Sequence, residues 1–349
     1  MSAADQVRAT GTVTPPFRFR APLAALNAAL YLSRPRLVIA FRRHTGAWPN
    51  PALPQTAHDK YLWRKLFDRA SWQTEVSDKL RAKDIAKSRL PGLRVPKTYW
   101  IGTDLADCPD EVLQTPVALK ANHGCGFNRF LTGGPVDRRE LARLANQWMA
   151  VDYSRRQGQW AYRNIQRRLF AEELLIDGDR LADSEFKVYV AGGRAVYTYV
   201  CYDRFAPDRG QSSDLFDPDG ALLPGAIDVG TPRRFLPAPP QYPDIIAAAL
   251  AVAGDVDLVR CDFYLHRQEV WFGEATVYSA GGYSWVEDRA TMENLASSWD
   301  LTRSDFLRSP PRGWRGGYAA PARGLAEPAA GGFPDRGGDR VRHIRLRIT

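Results

Sequence analysis

Cysteine is scarce in this 349-residue sequence: Cys108, Cys125, Cys201 and Cys261 lie far apart and form no C-x-x-C pair. That spacing argues against a disulfide framework and against a zinc ribbon. The five histidines include no H-E-x-x-H, which removes the commonest zinc hydrolase pattern. No G-x-S-x-G or other evident enzyme nucleophile is present. No apolar run is long enough to span a bilayer; the nearest, residues 26–41, carries Arg34 and Arg36 around Pro35. Two readings of that run stay open, a segment lying on a membrane surface and a packed helix followed by a strand. The first residues lack the basic-then-apolar layout of a secretory signal. The expected setting is the cytosol, with peripheral contact at the inner face of the membrane as the alternative.

What is present suits a large folded chain. Hydrophobic residues make up 44% of the sequence, enough to bury a substantial core. The net charge is +9, with local enrichment of basic residues at 34–43, at 163–168 and beyond 312. Such a balance favours anionic partners without choosing among nucleotides, glycans, nucleic acid and membrane. No recognisable nucleic-acid module accompanies it, so specific nucleic-acid binding is not expected.

Proline-rich breaks at 14–16 and 49–51 set residues 1–50 apart as a loosely built leader. Residues 58–67 follow with Tyr61, Leu62, Leu66 and Phe67 near one helical face, and a second helix opens near Ser77-Asp78 and stops at Pro91-Gly92. Strands are expected over 95–101, 116–120, 130–132, 169–176, 186–191 and 195–202, the last two joined by Gly192-Gly193. Helices are expected over 137–149 and 245–253, and residues 208–219 read as a polar connection. From Ser309 the composition turns to Gly, Pro, Ala and Arg, which cannot bury enough apolar surface to order itself.

Chemistry concentrates first at Val117-Ala-Leu-Lys120 and His123-Gly-Cys-Gly126. A strand that ends in lysine fixes one ammonium, and the glycines after it let backbone N–H groups approach an anion. That is the outline of a nucleotide-phosphate site. A protein kinase places its glycine loop before the lysine, and neither H-R-D nor D-F-G occurs here.

A late hairpin supplies the second centre. Residues 258–265 and 270–277 alternate, with Cys261, Phe263, Leu265, Trp271, Gly273 and Ala275 on one face and Arg260, Asp262, Glu274 and Thr276 on the other. A turn centred on Gln268 sets Asp262 opposite Glu274 and Arg260 opposite Thr276. Opposed carboxylates repel unless a cation lies between them, so the pair is a candidate Mg²⁺ site; a solvated sheet face relieved by Arg260 is the alternative.

Taken in order, the Asp78-Lys79 helix start, the Lys120 strand with its glycine loop, Ala171-Glu-Glu-Leu-Leu175, and then Asp262 and Glu274 resemble the ATP-grasp superfamily. Asp59-Lys-Tyr-Leu-Trp, Leu119-Lys-Ala-Asn-His-Gly, Glu185-Phe-Lys-Val-Tyr, Asp262-Phe-Tyr and Phe272-Gly-Glu are similar to its TupA-like branch, associated with teichuronopeptide and other surface-polysaccharide pathways. The resemblance covers residues 51–286. It implies an α+β ATP-grasp fold that holds ATP between two subdomains, with an extra N-terminal segment and a disordered C-terminal tail. The expected divisions are a leader over 1–50, an N-terminal part over 51–115, a lid with the glycine loop over 116–175, a part with the metal hairpin over 176–308, and a tail over 309–349.

Carried over, the resemblance implies that Lys79 and Lys120 contact ATP phosphates beneath a loop formed by His123, Gly124, Gly126 and Asn128. Glu172, Glu173, Leu174 and Leu175 become the adenine hinge, Glu185 holds the ribose and Lys187 adds to the phosphate site. Asp262 and Glu274 become Mg²⁺ ligands, and Arg260, with Lys120, serves catalysis. Many ATP-grasp enzymes have Glu-x-Asn where Glu274-Ala-Thr276 stands, which leaves the number of metal ions open. The implied activity is ATP-dependent joining of a small-molecule, glycan or peptide carboxylate to an amine. Phosphoryl transfer to a sugar or carboxylate and a non-catalytic scaffold are the alternatives. Arg163, Arg204, Tyr162, Tyr202, Tyr278 and Tyr283 are candidates to line the substrate pocket.

Overall fold

The computed structural model describes residues 17–177, 180–181, 184–203, 210–226, 231–309 and 318–319. The expected disordered tail, the break at 14–16 and Arg204 therefore lie outside the described residues, apart from Tyr318 and Ala319. Helices, numbered in chain order, are α1 (Phe17–Ser33), α2 (Pro35–Thr45), α3 (Ala57–Phe67), α4 (Ser71–Ser77), α5 (Lys79–Arg89), α6 (Asp110–Leu113), α7 (Arg138–Ala150), α8 (Tyr242–Ala253), α9 (Arg289–Ser298) and α10 (Asp305–Arg308).

Two antiparallel sheets carry the chemistry. Strands β1 (Thr98–Gly102), β2 (Pro116–Ala121), β3 (Asn128–Thr132) and β4 (Leu169–Glu173) pair in the order β1-β4-β2-β3. Asp137 caps α7, whose Leu141, Ala145 and Trp148 recur every three to four residues and pack on Val117, Leu119 and Ala171. After a two-residue ribbon of β5 (Ile176–Asp177) and β6 (Arg180–Leu181), the larger sheet begins. It contains β7 (Ser184–Ala191), β8 (Arg194–Tyr202), β9 (Ser212–Phe216), β10 (Leu258–His266) and β11 (Glu269–Thr276), in the order β11-β10-β7-β8-β9.

Three expectations need correction. The end of the 26–41 run is helical, where one of its two readings had a strand. Pro35 has the φ of a first helical turn, Gly46 closes the end at φ 70°, and Val38, Phe41 and Thr45 are buried on one side. Residues 17–50 are also not loosely built: Leu23, Val38 and Phe41 are buried, and Asn50 N–H donates to Asp59 Oδ1 at 2.9 Å. Strand β9 lies inside the expected polar connection. Its Asp214 is 1% exposed because Phe235 and Leu236 N–H groups and Arg233 satisfy the carboxylate, so a core strand reads as polar.

Arg64 fixes the hairpin that carries Arg260, Asp262 and Glu274. It is fully buried on α3, pairs with Asp257 at 2.8 Å, and donates to the carbonyls of Leu258 at 2.9 Å and Val277 at 3.1 Å. Those carbonyls stand at the start of β10 and just past the end of β11. Trp299 closes the group by donating to Asp257 at 2.8 Å.

Candidate functional site

The opposition of Asp262 and Glu274 depends on a bulge. Around the turn His266 pairs with Glu269 and Phe263 with Phe272, yet one step on Asp262 pairs with Glu274. Gly273 is the extra residue. A Cβ there would sit 2.8 Å from the Tyr264 ring and 3.2 Å from the Asp262 carbonyl, so glycine is the residue that fits. The slip also corrects the expected core face. Phe272 is fully buried beside Phe263, while Trp271 is half-buried on the other side.

Asp262 sits in a row across three strands: Glu274 on β11, Asp262 on β10 and Lys187 on β7. Arg260 reaches along its own strand, its Nε 2.7 Å from Asp262 Oδ1 and its Nη2 2.6 Å from Oδ2, with Glu274 Oε1 3.6 Å away. Lys187 lies 2.9 Å from Asp262 and 2.7 Å from Glu185, which also accepts from Tyr264 O–H at 3.4 Å. Burial lowers the pKa of Lys187, but Asp262 and Glu185 outweigh it and the net shift is upward.

The second group gathers at α5. Asp78 caps the helix by accepting from Leu80 N–H at 3.0 Å, which puts Lys79 at the first helical position. Lys79 pairs with Glu274. Burial would raise the Glu274 carboxyl, but Lys79, Arg260 and Lys187 hold it well below the usual carboxylate range. One turn along, Lys83 pairs with Glu172, and Lys120 at the end of β2 takes the other oxygen of the same carboxylate. Burial of Glu172 is outweighed by Lys120 and Lys83, so its pKa falls.

Five cations (Lys79, Lys83, Lys120, Lys187 and Arg260) thus meet four carboxylates (Glu172, Glu185, Asp262 and Glu274) in two groups of ion pairs, Lys83 and Lys120 on Glu172 in one and Lys79, Arg260 and Lys187 on Glu274, Asp262 and Glu185 in the other. Lys79 and Lys83, one turn apart on α5, bring the two groups side by side. The arrangement can exchange internal partners for a polyanion and a divalent cation.

Several expected residues take other places. Glu172 is a counterion to two lysines. Glu173 N–H donates to Lys97 O at 2.8 Å and Leu174 N–H to Pro116 O at 3.4 Å, so these two donors are engaged within the sheet, and Leu174 and Leu175 are buried. The His123 ring is buried against Phe127 and bonds the Trp148 carbonyl at 3.1 Å; only the backbone there can face an anion. Gly126 has φ 79°, and a Cβ on Gly124 would be 2.6 Å from the Phe127 ring. Asn128 pairs with Lys120 across β2 and β3.

Two residues of the site were given no role by sequence reasoning. Lys83 had a signal in its i,i+4 spacing from Lys79. Asn122 had none. It is fully buried, donates to Asp78 Oδ1 and Gln166 O at 3.0 Å each, and its carbonyl accepts from Lys79 N–H at 3.1 Å. It therefore joins the end of β2 to the start of α5.

A cavity of about 290 Å³ opens at the Lys79–Glu274 end. Arg260 and Thr276 line one wall, Cys125 of the glycine loop another, and Tyr153, Arg156, Gln157, Tyr162, Tyr278 and Gly281 the rest. Of the expected pocket residues, Tyr162 and Tyr278 are therefore in place. Tyr283 instead stacks on His44 at 4.3 Å.

Cys125 is exposed while Cys108, Cys201 and Cys261 are buried, so a maleimide should label one thiol in the native protein. Nucleotide closing the loop at 100 times Kd should slow that labelling about 100-fold. Labelling that ignores nucleotide would disprove closure over the site.

His58 on α3 holds the 278–286 wall. Its Nε2 bonds Ser284 O at 2.9 Å, its ring stacks on Trp285, and burial lowers its pKa to about 4. The unfolded chain then binds the extra proton between pH 4 and 6.5, so acidification through that window costs stability on the order of 3 kcal/mol. In urea titrations across that range, His58→Gln should remove this part of the slope. An unchanged slope would rule the group out.

Comparison with known proteins supplies a separate line. A sequence-family profile described as TupA-like ATPgrasp matches residues 59–299. No curated protein matches the chain. Among solved structures, D-alanine–D-alanine ligase from Bacillus anthracis complexed with ATP is 14% identical, covering 66% of this chain and 67% of that one at a TM-score of 0.39. The macrocyclase MdnC of Microcystis aeruginosa MRC, bound with precursor peptide MdnA, is 13% identical over 67% and 64%, with a TM-score of 0.35. An ATP-grasp ligase of Chryseobacterium gregarium associated with RiPPs, in complex with ADP and a leader and core peptide, is 14% identical over 68% and 65%, with a TM-score of 0.37. The chain spans about two thirds of each of these solved chains.

Proposed function

Because this chain belongs to the TupA-like ATP-grasp family, we propose that it is an ATP-dependent carboxylate–amine ligase acting in the assembly of a cell-surface polysaccharide or glycopeptide. The observation that carries the reading is the two groups of ion pairs set side by side at α5. Attack of a carboxylate on the γ-phosphoryl group brings anions together, and Lys79, Lys120, Lys187 and Arg260 supply positive charge from four separate elements. No enzyme nucleophile is needed: the carboxylate attacks phosphorus, ADP leaves, and the amine then displaces phosphate from the acyl phosphate.

Arg260 lines the cavity at its boundary with the ion pairs, where it can meet the oxyanion that develops during amine attack. The glycine loop, through Cys125, borders the same space and would keep water from the acyl phosphate. Asp262 and Glu274 fit Mg²⁺: they are hard oxygen donors directly opposed on one sheet face, and no further His, Cys or acidic group completes a cage among the described residues. Magnesium would neutralise phosphate charge there, and Arg260 and Lys79 occupy the carboxylates without it.

An ADP-release screen of the purified protein with Mg-ATP against paired carboxylates and amines, read by mass spectrometry, tests the proposal. The expected product has the mass of the two substrates less water. A phosphorylated product formed without an amine would replace ligation by kinase chemistry, and ATP binding without turnover of any pair would favour a scaffold.

A further inference from the structure

The first two helices pose a question that the ion pairs do not answer. Residues 17–50 contain no Asp or Glu but six arginines, and Arg18, Arg20, Arg34, Arg36, Arg42 and Arg43 are all exposed. Large apolar side chains stand among them: Phe17 is 85% exposed, Leu32 84%, Trp48 63% and Ile39 46%. Helix α1 is apolar on both sides. Leu23, Leu26 and Leu30 face the core, while Ala21, Ala25, Ala28 and Leu32 face water. Helix α2 buries Val38 and Phe41 and turns Arg36, Ile39 and Arg43 outward. Trp48 lies beside them, stacked with Tyr31 at 6.0 Å and with the Arg42 guanidinium 5.9 Å from its ring.

We infer that this face docks on the surface of an anionic phospholipid bilayer. Arginines beside aromatic and aliphatic side chains match the headgroup boundary, where phosphate meets the guanidinium groups and acyl chain takes the apolar groups. A second copy would bring two sets of arginines together, because a two-fold contact apposes the same patch. Nucleic acid would meet the arginines and leave Phe17 and Leu32 in water. Among the described residues no helix is long and apolar enough to cross the membrane, so the contact is peripheral.

Flotation of the full chain with vesicles of phosphatidylcholine, with and without about 30 mol % phosphatidylglycerol, tests this. Binding should require the anionic lipid. Arg36→Ala with Arg43→Ala should weaken it about 30-fold, at roughly fivefold per arginine. Leu32→Ser with Ile39→Ser keeps the charge and should weaken it about tenfold, with an unchanged melting temperature since both side chains are exposed. The arginine-rich residues after 309 would bind by charge alone, so full binding by the serine variant overturns the inference. So does light scattering that shows a dimer of the parent chain broken by those serines, with no vesicle binding by either protein.

Discussion

Turnover of ATP by the Lys120→Ala variant is expected to fall about 100- to 1000-fold, the scale of losing one group that stabilises developing charge. The fold should survive with a melting shift of no more than about 2 °C. The reason lies in the shared carboxylate. Lys120 and Lys83 hold opposite oxygens of Glu172, so removing Lys120 leaves Glu172 paired with Lys83, one charge against one. Steady-state ADP release and calorimetric ATP binding separate the effects. Near-normal turnover would show that Lys120 serves the fold and not the phosphates.

The converse variant, Glu172→Gln, should act mainly on stability. It strands two ammonium groups, one of them only 7% exposed, around a neutral amide. Breaking a buried pair by removing one partner costs about 3–5 kcal/mol, which corresponds to a melting temperature lower by about 10 °C. A pH dependence identifies the cause. The folded Glu172 carboxyl is held below its ordinary value, so its contribution is present above the unfolded pKa and fades as pH falls through the folded one. The gap between parent and variant should therefore narrow in acid. A variant that melts with the parent at pH 7 would show that the lysines disperse into solvent when the carboxylate charge is gone.

The contrast between these variants marks how far the sequence could be read. Lys120 at a strand end before a glycine loop is a local pattern, and so is Asp78 capping the helix that starts with Lys79. Asp262 opposite Glu274 also came from local alternation, and the structure shows that pairing. Yet the reasoning behind it placed Trp271 on the face of Cys261 and Phe263 and missed the bulge at Gly273, because a one-residue slip is set by what packs beneath Phe272. Strand β9 escaped notice for a related reason. Asp214 looks solvated until residues 233–236 fold over it and satisfy its oxygens.

By itself, the sequence determined where α3, α5, α7 and β2 lie, that Asp262 opposes Glu274, and the family to which the chain belongs, since periodicity and caps act over a few residues. Only tertiary structure decided that Glu172 is a counterion, that Asn122 joins β2 to α5, and that residues 153–162 and 278–281 enclose a cavity beside Lys79 and Arg260. The physical reason is that ion pairing and burial depend on distance in space. Lys79 and Glu274, 195 positions apart in the chain, meet because α5 packs against β11.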